Sequence, residues 1–414
     1  VSITNVNDPP VITSNGGGAT AALSVAENTT AVTTVVATDP ELLPLLYTIS
    51  GGVDAAKFNL GVSTGVLTFV TAPNFEAPTD ANADNVYVVT VLASDGLGGT
   101  DTQTISVTVT NANEAPTITS NGGGDTAALS VPENTTAVTT VTATDPDAGQ
   151  TLSYSISGGA DAARFAINSA TGALTFISAP NFEAPTDANA DNVYLVTVRA
   201  TDPLGLFDSQ ALSVTVTNAN DPPVITSNGG GASAAVSVPE NTTAVATVTA
   251  SDPDVGQTLT FSVSGGVDAA KFTINPTTGV LTFVSAPNFE APTDANTDNV
   301  YLVTVTVSDG NGGTASQALS VTVTNVNEPP VITSNGGGVA ASIQIPEGAM
   351  AVTTVTAVDP EAAAVTYAIA GGTDAAAFTI NSTTGALAFV TPPNFELPSD
   401  ANGDNVYDLS LIHI

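Results

Sequence analysis

Ala72-Pro73-Asn74-Phe75-Glu76 recurs almost unchanged as Ala179-Pro180-Asn181-Phe182-Glu183, Ala286-Pro287-Asn288-Phe289-Glu290 and Pro392-Pro393-Asn394-Phe395-Glu396. Measured at Pro73, Pro180, Pro287 and Pro393, successive copies stand 107, 107 and 106 residues apart. A period of this length means an array of domain-sized units, each large enough to bury its own core. Every copy carries the same acidic residues at the same offsets. Their task is therefore done once per repeat, which favours a structural or binding role over a single active site.

Working outward from this clause, repeat 2 shows the pattern of the unit. Leu152-Ser157, Tyr194-Ala200 and Leu212-Val216 alternate apolar and polar residues with period two, as half-buried strands do. Ala128-Val131 reads as a further short strand. Val138-Thr144 reads as another with a bulge, because Val138 and Val141 are three apart. Phe165-Ile167 and Ala173-Ile177 flank Thr171-Gly172, a hairpin turn signal. Seven short strands without a helical period predict an all-β fold, a tandem array of seven-stranded antiparallel Greek-key β-sandwiches of immunoglobulin-like type. Aromatics fixed at five strand or loop positions (Tyr47, Phe58, Phe69, Phe75 and Tyr87 in repeat 1) are expected in the core; only Phe207 has no counterpart.

The expected organisation is the end of a preceding repeat at 1–10, then repeats at 11–115, 116–222, 223–329 and 330–414. Val1-Ser2-Ile3-Thr4 matches the interior strand Val214-Thr217, so the chain is expected to open inside a repeat and to stop within another. Residues 409–414 look like a translated sequencing-adapter sequence, the last four reading equally as native and as artefact, and His413 within them is given no role. Pro-containing linkers at 5–10, 111–116, 218–223 and 325–330 separate the repeats and forbid helix. The glycine runs at 16–18, 122–124, 229–231 and 336–338 read as mobile loops. They lack the following helix and the lysine of a phosphate cradle.

Composition narrows the function. There are 4 Lys+Arg against 39 Asp+Glu, a formal charge of −35, which excludes nucleic acid and disfavours an anionic membrane. Three of those four bases, Lys57, Arg164 and Lys271, are copies of one position, so the carboxylates need cations from solution. Cysteine is absent, which removes disulfides and thiol chemistry. The sequence has no apolar run long enough to span a bilayer, so no membrane insertion is expected in this segment.

Val131-Pro132-Glu133-Asn134, Asp145-Pro146-Asp147-Ala148-Gly149, Phe182-Glu183, Ala200-Thr201-Asp202 and Asn218-Ala219-Asn220-Asp221-Pro222-Pro223 fall in an order that resembles the cadherin repeat, in the form found tandemly in large bacterial surface proteins. The resemblance covers three repeats and most of a fourth. It implies Ca2+ at each junction between repeats. At the first junction the matching positions are Glu27, Glu76, Asn111, Asn113, Glu114, Asp145, Asp147 and Asp202. At the second they are Glu133, Glu183, Asn218, Asn220, Asp221, Asp252, Asp254 and Asp309. At the third they are Glu240, Glu290, Asn325, Asn327, Glu328, Asp359 and Glu361. Asn7, Asp8, Asp39, Glu41 and Asp95 would serve a junction with an upstream repeat. The residue chemistry agrees, since oxygen-only donors suit a hard cation and no His or Cys is offered to a transition metal. Solvated loop acids and Asx turns are the competing reading.

The chain departs from the family at the linker's opening residue, Asn where the family has Asp, and at Asn74 and its copies. Fewer carboxylates imply weaker or fewer ions. Asp80-Ala81-Asn82-Ala83-Asp84-Asn85 and its copies read equally as an Asx-rich turn and as an extra ion loop. Asn28-Thr29-Thr30 and its copies match a glycosylation sequon that a bacterial chain would leave unused.

The resemblance implies a non-enzymatic, extracellular stalk at a bacterial cell surface, stiffened by calcium between neighbouring repeats and supporting adhesion to other cells or surfaces through domains outside this segment. Homophilic or glycan binding by the repeats, or a linker array in a secreted hydrolase, are the competing functions.

Overall fold

Alternating side chains dictate the sheets. In the computed structural model, which describes residues 1–413, repeat 1 runs β1 (Val11–Ile12), β2 (Thr20–Ala26), β3 (Ala31–Thr34), β4 (Ala37–Thr38), β5 (Leu46–Gly51), β6 (Phe58–Leu60), β7 (Val66–Phe69), β8 (Val86–Ser94) and β9 (Thr100–Thr110). A four-stranded sheet has the order β2-β9-β8-β5, a three-stranded sheet the order β3-β7-β6, and β1 pairs with β4. In β8, Tyr87, Val89, Val91 and Ala93 are buried while the residues between them are only partly so. The same set of sheets recurs in repeats 2 and 3. The expected all-β sandwich is what the chain forms, and the described residues contain no α-helix.

Two details differ from an all-antiparallel, seven-strand unit. β2 lies parallel to β9, with Leu23 opposite Val107, so the first long strand and the last strand run side by side. A short strand not expected from the sequence, β1 and its copies, precedes the first expected strand, and the second expected strand is broken in two. Ser14-Asn15-Gly16 turns the chain between β1 and β2, with Asn15 in the left-handed region at φ 51°, which short polar side chains tolerate. In repeat 2 the break separates Ala137–Thr140 from Ala143–Thr144, and the expected bulge falls between Ala137 and Thr139.

The two sheets meet on the aromatics. Phe58 stacks on Phe69 with ring centroids 4.7 Å apart, and the edge of Tyr87 closes on Phe69 at 5.1 Å. Burial of each such ring contributes about 2–3 kcal/mol. Gly65 is required at the β6–β7 turn. It has φ 68°, and a Cβ there would sit 2.0 Å from the Val35 carbonyl oxygen. Gly172, in the predicted Thr171-Gly172 turn, repeats this at φ 72° against Val141.

The glycine runs are better anchored than a mobile loop. Gln103 is fully buried on β9 and donates from Nε2 to the carbonyls of Gly18 at 2.9 Å and Ser14 at 3.2 Å. Its oxygen accepts from Asn15 Nδ2 at 3.2 Å. Gln210 and Gln317 hold the same position, each fully buried.

Contacts divide the chain into two compact units, Val1–Ala219 and Asn220–Ile414. In repeat 4, Ser410–His413 pairs with Tyr367–Gly371, placing Leu411 opposite Ile369 as Val91 lies opposite Ile49 in repeat 1. Leu409 and Leu411 pack against Phe378, Leu387 and Phe389. Within the described residues repeat 4 has no counterpart of β9, and residues 340–346 accordingly do not form the strand that β2 makes against it. Phe395, expected in the core, is 67% exposed, whereas Phe75, Phe182 and Phe289 pack against their cores. Ile414 lies outside the described residues.

Candidate metal centre at the linkers

β2 ends where Ala26 meets Glu27, and Asn28 then turns the chain at φ 61°. This turn drives the Glu27 side chain inward, where it is 1% exposed. Its Oε2 accepts the backbone N–H of Phe75 at 2.7 Å and its Oε1 that of Ala112 at 2.9 Å. One buried carboxylate thus joins the end of a strand, the recurring clause and the linker. A Glu27, a Glu76 and a Glu114 oxygen all lie within 4.8 Å of one another.

The linker fixes the remaining acids. Asn111 Nδ2 donates to Glu76 Oε1 at 2.8 Å and to Asp147 Oδ1 at 2.6 Å. Asp147 Oδ2 accepts the backbone N–H of Glu114 at 2.9 Å. Glu114 Oε1 accepts from Asn28 Nδ2 at 2.6 Å. Asp145 caps the next turn by accepting the N–H of Asp147 at 2.9 Å. Asn113 Nδ2 donates to Asp202 Oδ2 at 2.7 Å, while Asp202 Oδ1 takes the N–H groups of Leu204, Gly205 and Leu206. Glu76 Oε2, Glu114 Oε2 and Asp145 Oδ2 are buried and have no hydrogen-bond partner.

Electrostatics follow from this crowding. Burial pushes the Glu76 carboxyl above its ordinary value, and the negative Glu27, Glu114 and Asp147 add to it. Burial also acts on Asp202, but Asn113 and the three backbone N–H groups win and hold it below the usual carboxylate range.

The second unit repeats the arrangement with one more carboxylate. Oxygens of Glu240, Glu290, Glu328 and Glu361 lie within 4.8 Å of one another. Glu240 accepts the N–H of Phe289 at 2.7 Å and of Val326 at 2.8 Å. Asn325 Nδ2 donates to Glu290 Oε1 at 2.7 Å, Asn241 Nδ2 donates to Glu328, and the Glu328 N–H reaches Glu361 Oε1 at 2.9 Å. Asp359 accepts the N–H of Glu361 at 3.1 Å. Glu290 Oε2, Glu328 Oε2 and Glu361 Oε2 are buried and unpaired. Burial and its neighbour Glu361 lift the Glu328 carboxyl. Asn327 is placed differently from Asn113: it is exposed and donates to the Glu328 carbonyl at 3.3 Å.

At the end of the first unit, Glu133 accepts from Phe182 at 2.7 Å and Ala219 at 2.9 Å, and Asn218 donates to Glu183 at 3.0 Å. At the start of the second, Asn220 donates to Asp309 at 2.7 Å, the Asp221 N–H to Asp254 at 2.7 Å, and the Asp254 N–H to Asp252 at 2.9 Å. Near the start of the chain, Asn7 donates to Asp95 at 2.7 Å, the Asp8 N–H to Glu41 at 3.3 Å, and the Glu41 N–H to Asp39 at 2.8 Å.

The acid–amide loop has its own chemistry. Asp80 is buried and accepts the N–H groups of Asp84 at 2.9 Å and Asn85 at 3.2 Å. Asp54, absent from the sequence reading, is also buried and accepts those of Ala81 at 2.7 Å and Val88 at 2.8 Å. Burial acts to raise Asp80, yet these N–H groups hold it low. Backbone donors fill both its oxygens, which is the Asx-turn arrangement. Asn28 and its copies Asn134 and Asn241 share a left-handed turn, which Gly348 makes in repeat 4.

The profile described as Cadherin domain matches residues 127–217 and 234–325. Those two stretches match cadherin domains. The protocadherin-like wing polarity protein stan of Drosophila melanogaster is 34% identical over 152 residues, which is 34% of this chain and 4% of that protein. Human protocadherin Fat 1 is 30% identical over 226 residues, 51% of this chain and 5% of that protein. The chain therefore spans about a twentieth of either relative, and both are animal proteins. Among solved structures, mouse cadherin-23 EC22-24 is 22% identical with a TM-score of 0.45, covering 77% of this chain and 100% of that one. Human CDH23 EC21-23 is 21% identical with a TM-score of 0.46, covering 76% and 100%. Among the described residues no helix is long and apolar enough to cross a membrane.

Proposed function

We propose that this chain is a non-enzymatic, calcium-binding segment of a cell-surface adhesion protein, in which ions at the linkers fix each cadherin-like repeat to the next. The observation that carries the reading is the set of buried, unpaired carboxylate oxygens at the two linkers internal to the units: Glu76 and Glu114 in one, Glu290, Glu328 and Glu361 in the other. Burying such oxygens together without a positive partner is costly. Their donor set, carboxylate with amide oxygens nearby, fits a hard cation.

Calcium would supply at these points the positive charge that the chain lacks. Glu76, Glu114, Asp145 and Asp147 would hold it at the first linker, with Asn111 and Asn113 beside them. Glu290, Glu328, Asp359 and Glu361, with Asn325 and Asn327, would do so at the third. Glu27 and Glu240 already hold two backbone N–H groups each and keep the linker in place. The four-repeat partition at 11–115, 116–222, 223–329 and 330–414 belongs to this proposal, as does the bacterial surface setting, which the cysteine-free composition supports.

Equilibrium dialysis against calcium tests the reading. The full chain is expected to take up calcium, and Glu76→Ala with Glu114→Ala to lose part of that uptake. A wild-type chain that takes up none would overturn it.

A further inference from the structure

Gln150 lies in the loop after Asp147, and that loop comes in two lengths. From its first Asp to the core aromatic, repeat 2 runs Asp145 to Tyr154 and repeat 3 Asp252 to Phe261. Repeats 1 and 4 run Asp39 to Tyr47 and Asp359 to Tyr367, one residue shorter. Only the longer loops carry a glutamine; the shorter ones read Leu42-Leu43-Pro44 and Ala362-Ala363-Ala364.

The glutamine changes the linker's hydrogen bonding. Gln150 Nε2 donates to Asn113 Oδ1 at 2.9 Å, and Asn113 in turn donates to Asp202. Gln257 donates to Asn220 Oδ1 at 2.7 Å, and Asn220 donates to Asp309. The linker asparagine therefore has both ends of its amide committed. In repeat 1, where Pro44 cannot donate, Asn7 makes the same bond to Asp95 but its Oδ1 is buried without a partner.

The unpaired oxygens follow the same division. Repeat 1 leaves Asn7 Oδ1 and Asp39 Oδ2, repeat 2 leaves Gln150 Oε1 and Asp145 Oδ2, and repeat 3 leaves Gln257 Oε1 and Asp252 Oδ2. Counting the linker asparagine, the loop glutamine and the first Asp of the loop, each of these three repeats keeps one amide and one carboxylate oxygen buried and unpaired. The amide oxygen belongs to the linker asparagine where no glutamine is present, and to the glutamine where one is. A buried amide carbonyl without a partner is destabilising. Its return in register, carried by a different residue type, calls for a common partner that accepts oxygen donors.

We infer that Gln150 and Gln257 are cation ligands through Oε1, taking over the amide-oxygen role that Asn7 fills in repeat 1. This rests on the reading that calcium binds at the linkers. The side chain has two tasks: Nε2 holds the linker asparagine, and Oε1 offers a neutral hard oxygen of the kind calcium takes from amides.

Calorimetric calcium titration of the full chain tests this with two double variants. Gln150→Ala with Gln257→Ala removes the oxygen and is expected to weaken the affected sites ~10-fold. Gln150→Glu with Gln257→Glu removes the N–H donor but keeps an oxygen, and is expected to bind at least as tightly as wild type. The calcium-dependent rise in melting temperature should fall in the Ala variant and persist in the Glu variant, whatever their stability without calcium. If the Glu variant weakens as the Ala variant does, glutamine acts only by holding the linker, and the inference is overturned. Wild-type affinity in the Ala variant overturns it equally. Absence of calcium binding by the wild-type chain removes the linker reading itself, a failure seen before any variant is made.

Discussion

The carboxylate of Glu27 accepts the backbone N–H of Ala112 at 2.9 Å, joining residues 85 positions apart in the sequence. Glu133 does the same to Ala219 at 2.9 Å, and Glu240 to Val326 at 2.8 Å. The acid following each first long strand thus holds the start of the next linker before any ion is considered. Glu27→Ala would leave the N–H groups of Phe75 and Ala112 without this acceptor. We expect a loss of about 2–3 kcal/mol in urea unfolding, with calcium present or absent. A loss seen only with calcium would show that Glu27 acts through the ion alone.

Asn111 predicts opposite effects in two conditions. Its amide donates to both Glu76 and Asp147. Asn111→Asp replaces this donor with another negative charge. The variant should melt below wild type in chelator, because like charges then face each other, and bind calcium ~10-fold more tightly, because one more carboxylate meets the ion. Equal melting in chelator would contradict the bridging role.

Protons compete with calcium at Glu76. Its carboxyl is lifted above the ordinary value of 4.5 by burial and by neighbouring acids. A raised carboxyl contributes stability when protonated, below its ordinary value, and loses that contribution as pH rises through the raised one. In chelator the linker should therefore loosen as pH climbs out of the carboxyl range. Calcium binding at about pH 5 should release more protons than at about pH 7, because more of this carboxyl is protonated there. Titration in buffers of different ionisation enthalpy reads that release; equal release at both values would contradict the shift.

Backbone conformation gives a prediction independent of any ion. In the acid–amide loop Ala83, Ala190 and Thr297 sit at φ 60°, 58° and 58°, where repeat 4 has Gly403 at φ 73°. Thr297→Gly should raise stability by about 1 kcal/mol, since a β-branched residue is strained there. Gly172→Ala should act oppositely and cost roughly 3 kcal/mol, because its Cβ would meet the Val141 carbonyl oxygen at 2.0 Å. Thermal melting checks both signs.

The repeat and its strands were legible because period-two alternation and fixed aromatics are local signals: Tyr194, Val196, Val198 and Ala200 are all buried. The linker acids were legible as a recurring set. Gln103, Asp54 and Gln150 were not, because the groups they satisfy lie on distant or separate segments, Gly18, Val88 and Asn113 among them. A polar residue in a strand or loop carries no local mark of burial. The parallel pairing of β2 with β9 was hidden for a related reason, since alternation fixes which face a residue takes but not strand direction. The Asp80 loop stayed ambiguous because an Asx turn and a calcium loop use the same residues; only the direction of the N–H groups separates them.

Small-angle scattering of the full chain, in calcium and then in excess chelator, tests the central claim most directly. If calcium at the linkers fixes neighbouring repeats, removing it should lower the maximum dimension and broaden the distance distribution, and restoring calcium should reverse both. An unchanged maximum dimension in chelator would contradict the account.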